Sequence, residues 1–221
     1  MSQHSMEMIS CPSCKKESEF LVWNSINTTL DPEMKDKVRT GEAFLWQCPS
    51  CGTRRIVEYP MLYHQMEDHM MIWFMPGDAQ DAVEHFEKLR QGEDPAAAAA
   101  PDYRYRAVTS RYALREKLLL FDEGLDDRVA ELAKPFAHKA LSQEYPELDV
   151  EEIRYDQSPD GELMTGFRLT DGRWAYLPFD RPLYARVRDF WSEALKEDED
   201  TLIDANWARG FLKEHEEEVR L

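Results

Sequence analysis

Two copies of one four-residue motif constrain the fold of this chain more than any other feature. The first copy is Cys11-Pro12-Ser13-Cys14, and the second is Cys48-Pro49-Ser50-Cys51 followed by Gly52, with 33 residues between them. A Cys-x-x-Cys turn presents two sulfurs on one side, so two such turns can supply all four corners of a tetrahedral metal site. We therefore predict that the first third of the chain folds around one bound ion. The predicted ligands are Cys11, Cys14, Cys48 and Cys51.

Zinc is the ion that best matches four thiolates, and we expect one structural Zn²⁺ as the only cofactor. Four protein ligands leave no open position for water or substrate, so the ion should not be catalytic. Gly52 allows the positive φ that such a turn needs. A redox dithiol and two disulfides are the alternatives. A redox site needs a single pair in a thioredoxin-like setting, and disulfides are rare in reducing compartments.

The chain is acidic, and its acidity is unevenly distributed. Its 221 residues carry a formal net charge of -17. Residues 1–60 hold seven Lys or Arg and eight Asp or Glu, whereas the remainder holds 20 and 36. The charge most simply provides solubility; a basic partner, or mimicry of a nucleic acid's surface charge, is the alternative. Because phosphate binding needs clustered Lys and Arg, nucleic acid is a disfavoured partner, and we expect the partner to be another protein.

The N-terminus and the apolar runs predict a cytoplasmic protein without membrane association. The first seven residues show neither a basic region nor an apolar stretch typical of a secretion signal. The longest apolar run covers residues 70–76. A membrane helix would need about 20 apolar residues.

Residues 1–92 show the pattern of a zinc-ribbon-like antiparallel β domain with a short inserted helix. Asp31 can cap that helix, Pro32 suits its first turn, and Gly41 suits its end. Residues rich in aromatic and β-branched side chains flank both motifs and favour strands. The predicted elements are strands over 17–27, 43–47, 53–59 and 69–75, a helix over 31–41 and a helix over 79–90.

Residues 93–102 form an Ala/Pro-rich segment, which we interpret as a linker or surface loop because it has no apolar periodicity. Residues 103–221 are predicted to be a helical region with a β-hairpin or meander. Pro135 should kink or end one helix, and Asp171-Gly172 predicts a hairpin turn. The predicted elements are an edge strand over 103–108, helices that begin at Ser110, near Asp126, at Asp180 and near Asp200, strands within 151–178, and a solvated acidic end.

Two further groups of residues were considered as sites. Four carboxylates, Glu116, Glu123, Asp126 and Asp127, lie around a predicted helix break. Paired carboxylates can perform acid–base catalysis, but Asp126 near a helix start is more simply a cap. The histidines His64 and His69 are too few for a second metal site. We therefore predict no catalytic residues.

The two motifs and several later segments resemble the CpXC family, which is defined by two C-P-x-C motifs. The resemblance extends from about Ile9 to Lys134, so residues 103–145 belong largely to the family region. It implies four metal-binding cysteines but no substrate and no catalytic residues, because the family is functionally uncharacterised. The other matching segments are Ser25-Ile26-Asn27, Asp31-Pro32-Glu33, Tyr59-Pro60-Met61-Leu62-Tyr63, Leu114-Arg115-Glu116-Lys117 and Gly124-Leu125-Asp126-Asp127-Arg128.

The sequence thus predicts an α+β protein with a structural zinc site that acts as a protein–protein interaction or regulatory module. A nucleic-acid-binding zinc ribbon is the second hypothesis. The third is an enzyme with a pocket between the two regions, with Glu123, Asp126 and Asp127 as its candidates. Neither the oligomeric state nor the role of the chain after about residue 146 follows from the sequence. The ribbon hypothesis needs one basic face built from Lys15, Lys16, Lys35, Lys37, Arg54 and Arg55.

Overall fold

A computed structural model describes residues 2–91 and 103–215 and confirms the α+β class. The chain divides into two compact units, Met1–Arg115 and Glu116–Leu221. The predicted Ala/Pro-rich linker at 93–102 and residues 216–218 of the predicted acidic end lie outside the described residues, whereas Glu214 of that end is described and exposed. In the described ranges, no helix has both the length and the apolarity needed to cross a membrane.

The first unit contains a five-stranded sheet in the order β1-β2-β5-β6-β7. The prediction of an antiparallel domain is wrong for this sheet, since β2 pairs with β5 and β6 pairs with β7 in parallel. Parallel neighbours require long crossover connections. The chain supplies them here, through residues 28–60 before β5 and through helix α2 (Ala79–Gln91) before β7. The strands are β1 Gln3–Ser10, β2 Glu17–Asn27, β5 Met61–Gln65, β6 Met70–Phe74 and β7 Arg104–Val108.

A separate two-stranded hairpin, β3 (Leu45–Gln47) with β4 (Arg54–Ile56), carries the second cysteine motif at its tip. Both strands are shorter than the predicted 43–47 and 53–59. Residues Glu42–Phe44 form a 3₁₀ turn instead of strand, and they bury Ala43 and Phe44.

Strands β1 and β5 were not predicted. β1 is almost entirely exposed, so it shows no clear alternation of apolar and polar residues. β5 does alternate, with Met61, Tyr63 and Gln65 buried, but the polar Gln65 weakens the apolar pattern. The Tyr63 hydroxyl donates to the Gln65 side chain at 2.8 Å, which satisfies this buried amide oxygen.

Helix α1 (Glu33–Thr40) forms between β2 and β3 as predicted and buries Met34 and Val38. Gly41 ends it with a left-handed φ of 83°. The predicted side-chain cap at Asp31 is wrong. Pro32 occupies the N-cap position of α1, and no side chain caps the helix by a hydrogen bond. The backbone oxygen of Asp31 accepts from the Met34 N–H at 3.0 Å instead.

Helix α2 (Ala79–Gln91) and strand β7 complete the first unit, and both were predicted. Phe86 of α2 is buried. β7 lies at one edge of the sheet, which confirms the predicted edge strand.

The second unit combines a three-stranded meander, in the order β10-β9-β8, with helices. Gly172 adopts a φ of 83° in the tight turn between β9 and β10, as the Asp-Gly pair predicted. The core contains Leu132, Tyr155, Val187, Trp191 and Phe211. Helix α3 crosses the boundary of the two units. The elements are α3 Arg111–Asp122, α4 Asp127–Glu144, β8 Val150–Gln157, β9 Leu163–Leu169, β10 Trp174–Pro178, α5 Arg181–Trp191 and α6 Ala205–Glu214.

The helix starts of this region follow the predicted capping residues. The Ser110 hydroxyl accepts from the Ala113 N–H at 3.1 Å, and Asp180 accepts from the Leu183 N–H at 2.8 Å. α4 continues through Pro135 as one element, so the helix does not end there, and the alternative, a kink at Pro135, stays a prediction. Buried residues on both sides of this position hold the helix in the core, which offsets the loss of one backbone bond.

Candidate metal centre

The first knuckle, Cys11–Cys14, is the loop of the β1–β2 hairpin. Ser10 and Glu17 form the last pair of that hairpin. Two backbone bonds close the loop: the Cys11 N–H donates to the Lys16 oxygen, and the Lys15 N–H donates to the Cys11 oxygen, both at 2.9 Å. The hairpin therefore fixes the backbone that carries the first two sulfurs.

The second knuckle, Cys48–Cys51, is the loop of the β3–β4 hairpin and repeats the same bonds. The Cys48 N–H donates to the Thr53 oxygen and the Gly52 N–H to the Cys48 oxygen, again at 2.9 Å. Gly52 has a φ of 74°, which confirms the predicted positive φ. Two hairpins thus present two equivalent Cys-Pro-Ser-Cys turns.

The four sulfurs meet in one cluster. The Sγ atoms of Cys11 and Cys51 are 3.6 Å apart, and those of Cys14 and Cys48 are 3.7 Å apart. All four Sγ atoms lie within 4.8 Å of one another, and none forms a disulfide. In the described ranges, this is the only group of three or more His, Cys, Asp or Glu side chains placed to hold a metal ion.

The sulfur spacing fits a tetrahedral ion. In a tetrahedron whose zinc–sulfur bonds are about 2.3 Å long, neighbouring sulfurs are about 3.8 Å apart. Two of the six Sγ–Sγ distances, 3.6 and 3.7 Å, are close to that edge, and all six are within 4.8 Å. The cluster can therefore accept an ion at its centre with little movement of the chain.

The inner side of the cluster is apolar. Cys11 and Cys48 are buried with Trp46, and Phe20 packs against them. The Trp46 indole N–H is satisfied by the Ser18 hydroxyl at 3.2 Å. On the outer side Cys51 is exposed and Cys14 is half-buried. The sulfurs thus lie at the surface of a small hydrophobic core, where two of them are shielded from water.

Hydrogen bonds stabilise the thiolate forms of two cysteines. The backbone N–H of Cys14, together with that of Ser13, lowers the pKa of the Cys11 thiol to about 6 against the opposing effect of burial. The pKa of the Cys51 thiol is lowered chiefly by the Thr53 hydroxyl, whose oxygen lies 3.2 Å from the sulfur, and then by the Thr53 N–H. Such N–H···S and O–H···S bonds support metal-bound thiolates.

The pKa of the Cys14 thiol shifts in the opposite direction, upward. The backbone N–H of Lys16 lowers the pKa of the Cys14 thiol, but burial and the three other sulfurs outweigh it and raise that pKa to about 11. Sulfurs packed this closely cannot all be ionised without a cation between them, because like charges repel. The crowding therefore favours occupation by a positive ion.

Four exposed basic residues flank the knuckles. Lys15 and Lys16 follow the first one, and Arg54 and Arg55 follow the second. Arg54 and Arg55 are neighbours in β4, so their side chains leave opposite faces of the hairpin. The other two residues of the predicted basic face, Lys35 and Lys37, belong to α1 and are half-buried.

The four carboxylates considered as acid–base candidates do not share one site. Asp126 is the N-cap of α4, as the simpler interpretation predicted. Asp127 is buried, and Glu123 is exposed. Their closest side-chain partners are Lys134 for Glu116 at 2.6 Å, Arg181 for Glu123 at 2.6 Å, the Arg128 guanidinium for Asp126 at 2.8 Å and Lys117 for Asp127 at 2.8 Å.

The two histidines have local partners as well. The His64 Nε2 atom is 2.9 Å from the Tyr103 hydroxyl, and the His69 ring stacks on Tyr103 with its centroid 5.3 Å away. In the part of the chain that the structure describes, neither histidine joins the sulfur cluster.

A buried ionic network was missed from the sequence. The ammonium group of Lys134 contacts both Glu116, at 2.6 Å, and Glu131, at 2.7 Å. The same ammonium lies 5.3 Å from the centre of the Tyr155 ring. Burial raises the pKa of Tyr155, and burial also raises that of Glu131 against the attraction of Lys134. The i,i+3 spacing of Glu131 and Lys134 was the one signal in the sequence, and nothing local linked Lys134 to Glu116.

The fold and the cluster together define an α+β protein with a four-cysteine site that can hold a metal ion. The sequence profile of the CpXC protein family matches residues 9–134, which is more than half of the chain. The chain therefore belongs to the CpXC family. The matched segment covers both knuckles, helix α3 and the first half of α4. No curated protein and no solved structure matches the chain.

Proposed function

We propose that Cys11, Cys14, Cys48 and Cys51 bind one Zn²⁺ ion whose role is structural. The observation that carries this proposal is the sulfur cluster itself, with edges of 3.6 and 3.7 Å. Four thiolates in a tetrahedron match zinc, and with all four positions filled the ion has no site for substrate. Iron is the other ion that four thiolates in this geometry accept.

The ion would join two hairpins that are distant in the chain. The first knuckle closes β1–β2, and the second closes β3–β4. Around the cluster only a small apolar group of Cys11, Trp46 and Cys48 is buried. Binding at such zinc sites is worth on the order of 10 kcal/mol, and that energy contributes to folding. The metal would therefore be the main element that holds the hairpins together.

Elemental analysis of the purified protein tests the metal and its site. We expect one zinc per chain in the natural sequence and almost none after Cys48→Ser. Ser13→Ala is the matched control: Ser13 Oγ lies 3.1 Å from Thr53 Oγ1 across the two knuckles, but serine is not a proposed ligand. Iron in place of zinc, or zinc retained by Cys48→Ser, would contradict the proposal. Tetrahedral thiolate absorption after Co²⁺ substitution would identify the geometry.

We further propose that the zinc-ordered protein is a protein–protein interaction or regulatory module in the cytoplasm. One consequence of the proposed metal site and one observation on charge support this role. The proposed metal has no open position for catalysis, and residues after 60 carry 36 acidic against 20 basic residues, which favours a partner with a basic surface. The catalytic candidates have structural partners, as described above, so no residue is assigned to an enzymatic reaction.

Affinity purification from cells that produce the protein tests this role. The zinc-loaded protein should enrich a specific partner that is released as salt concentration rises, because screening weakens charge attraction. Cys48→Ser, which removes the proposed metal, should lose the partner. If the natural sequence and Cys48→Ser recovered every bound protein in equal amounts, the proposed role would be contradicted.

Nucleic-acid binding remains the second candidate because Lys15, Lys16, Arg54 and Arg55 are exposed beside the knuckles. A simpler account is that these cations offset the excess negative charge of four thiolates on one divalent ion. A gel-shift experiment at low salt decides between the two. Binding that weakens steeply with salt and is lost in Lys15→Glu/Lys16→Glu would favour the nucleic-acid role.

A further inference from the structure

Strand β1 forms an open edge of the five-stranded sheet. In the part of the chain that the structure describes, β1 pairs with β2 alone. Six of its eight residues are exposed. The opposite edge strand, β7, has four buried residues among its five. The two edges of the sheet therefore differ in exposure: the residues of β7 are mostly buried, whereas those of β1 are mostly exposed and its outer side pairs with no described strand.

The composition of β1 does not protect this edge. Soluble proteins blunt exposed edges with Lys, Pro, bulges or very short strands. β1 contains no proline and no Lys or Arg, and apart from His4 its only ionisable side chain is that of Glu7. Its single irregularity lies between Gln3 and His4, so the register is regular from His4 to Ser10. A long, regular edge without these protective features is suited to pairing.

The exposed face beside the edge carries an apolar strip, and His4 and Glu19, which pairs with Met8, lie on the same face. Met6 is 54% exposed, and Met8 is 59% exposed. Met6 pairs directly with Leu21, which is also exposed, and His4 pairs with Trp23. Because alternate residues of a strand share a face, Met6, Met8 and Leu21 form one apolar strip along the hairpin.

The direction of the backbone N–H and C=O groups in β1 determines which residues can hydrogen-bond to a further strand. Cys11 donates its N–H to Lys16 across the hairpin, so its backbone groups point toward β2. Antiparallel pairing alternates the direction of these groups from one residue to the next. Counting back from Cys11, the groups of His4, Met6 and Met8 point away from β2 and are available to a further strand.

We propose that this protein forms a symmetric dimer in which two β1 strands pair antiparallel about a two-fold axis at Met6. In that register Met6 lies opposite its own copy and His4 lies opposite Met8, and all three belong to the outward-bonding set. Ser5 lies opposite Glu7, so no like charges face each other. The two five-stranded sheets become one continuous sheet across an isologous interface.

Two neighbouring registers fit less well. A two-fold axis at Glu7 would place Glu7 opposite its own copy, which is destabilising for a directly opposed like-charged pair. An axis at Met8 would extend the pairing into the knuckle at Cys11. The charge distribution also favours a second copy: residues 1–60 hold seven basic and eight acidic residues, so two N-terminal segments meet with little repulsion.

This inference goes beyond the proposed function, because the edge belongs to the sheet and not to the metal site. Sedimentation equilibrium of the full chain, over a wide range of concentrations, tests it. The natural sequence should show a monomer–dimer equilibrium, and Met6→Lys should raise the dimer dissociation constant at least about tenfold by placing two ammonium groups opposite each other. The matched control is Leu30→Lys, which removes another exposed apolar residue, 59% exposed, outside β1 and should leave the equilibrium unchanged.

Hydrogen exchange provides the second measurement. The amides of Met6 and Met8 should be protected at high protein concentration and exchange faster on dilution. A protein that stays monomeric at every concentration, a dimer that survives Met6→Lys, or equal losses in Met6→Lys and Leu30→Lys would each overturn the proposal. Metal content measured on the same samples shows separately whether the zinc proposal holds.

Discussion

Lys15 occupies in the first knuckle the backbone position that Gly52 occupies in the second. Each lies four residues after the first cysteine of its motif, and each donates its N–H to that cysteine's carbonyl at 2.9 Å. Their φ angles are 63° and 74°. The left-handed conformation is thus a requirement of the knuckle itself, and glycine meets it without strain, whereas lysine does not.

Gly52→Ala should destabilise the metal-bound protein by about 1 kcal/mol, because a Cβ atom in the left-handed region is strained. A Cβ atom added at Gly52 would meet no other atom within 4 Å, so the backbone conformation alone is tested. Lys15→Gly should be stabilising by about 0.5 kcal/mol, since the relieved strain exceeds the added entropy of the unfolded chain. Denaturant unfolding of the zinc-loaded variants measures both.

Gly210→Ala is the control for that comparison. Gly210 lies within α6 without a left-handed φ, and an added Cβ atom there also meets no atom within 4 Å. Alanine should therefore be stabilising by about 1 kcal/mol. If alanine had the same effect at Gly52 and at Gly210, the argument from backbone strain would be wrong.

The sequence predicted the parts of the fold that local chemistry determines. The paired motifs, the end of α1 at Gly41 and the cap of α4 at Asp126 each depend on residues within a few positions of each other. The tight turn at Gly172 also formed as predicted. In these cases one side chain or one backbone angle decides the local structure, so a short stretch of sequence is sufficient.

Features that depend on distant residues were not predicted. β1 is a strand because it pairs with β2, although its own residues are exposed and weakly patterned. The parallel pairing of β2 with β5 depends on the path of about 30 intervening residues. Lys134 pairs with Glu116, a contact that no local pattern indicates. α4 passes Pro135 because tertiary packing overrides the local preference.

The ion pair of Lys117 with Asp127 should be essential for the second unit. The two atoms are 2.8 Å apart, and the side chains are only 4% and 0% exposed. Lys117→Met leaves a buried carboxylate without its cation and should cost about 3–5 kcal/mol. Lys117→Met/Asp127→Leu removes both charges and should recover most of that loss. Denaturant unfolding of the single and double variants provides the measurement.

An exposed pair serves as the control for this prediction. Arg173 and Asp171 are 2.7 Å apart with side chains 74% and 50% exposed. Arg173→Met should therefore change the free energy of unfolding by less than about 1 kcal/mol. A comparable loss in Arg173→Met and Lys117→Met would show that burial does not set the strength of the pair.

His64 should make the first unit less stable in mild acid. Burial lowers the pKa of His64 below its ordinary 6.5, and Glu67 opposes this only in part. The unfolded chain then binds a proton more readily than the folded one, so stability falls as the pH drops below about 6.5 toward the folded pKa. His64→Gln keeps a polar group for the Tyr103 hydroxyl but removes the titration, so its stability should fall less between pH 7.5 and 5.5. If the free energy of unfolding fell equally with pH in the natural sequence and in His64→Gln, the titration of His64 would not explain the loss of stability.

Removal of the metal should loosen the two hairpins without unfolding the second unit. The sulfurs join the loops β1–β2 and β3–β4, whose shared buried group contains little besides Trp46. The second unit has its own core, in which Trp191 is fully buried. After treatment of the full chain with a chelator, hydrogen exchange should accelerate in β1 to β4 and stay unchanged in β8 to β10, and added Zn²⁺ should restore the slow rates. Uniform acceleration along the chain would mean that the ion stabilises the protein as a whole, and unchanged rates in the hairpins would mean that the apolar contacts around Trp46 are sufficient without it.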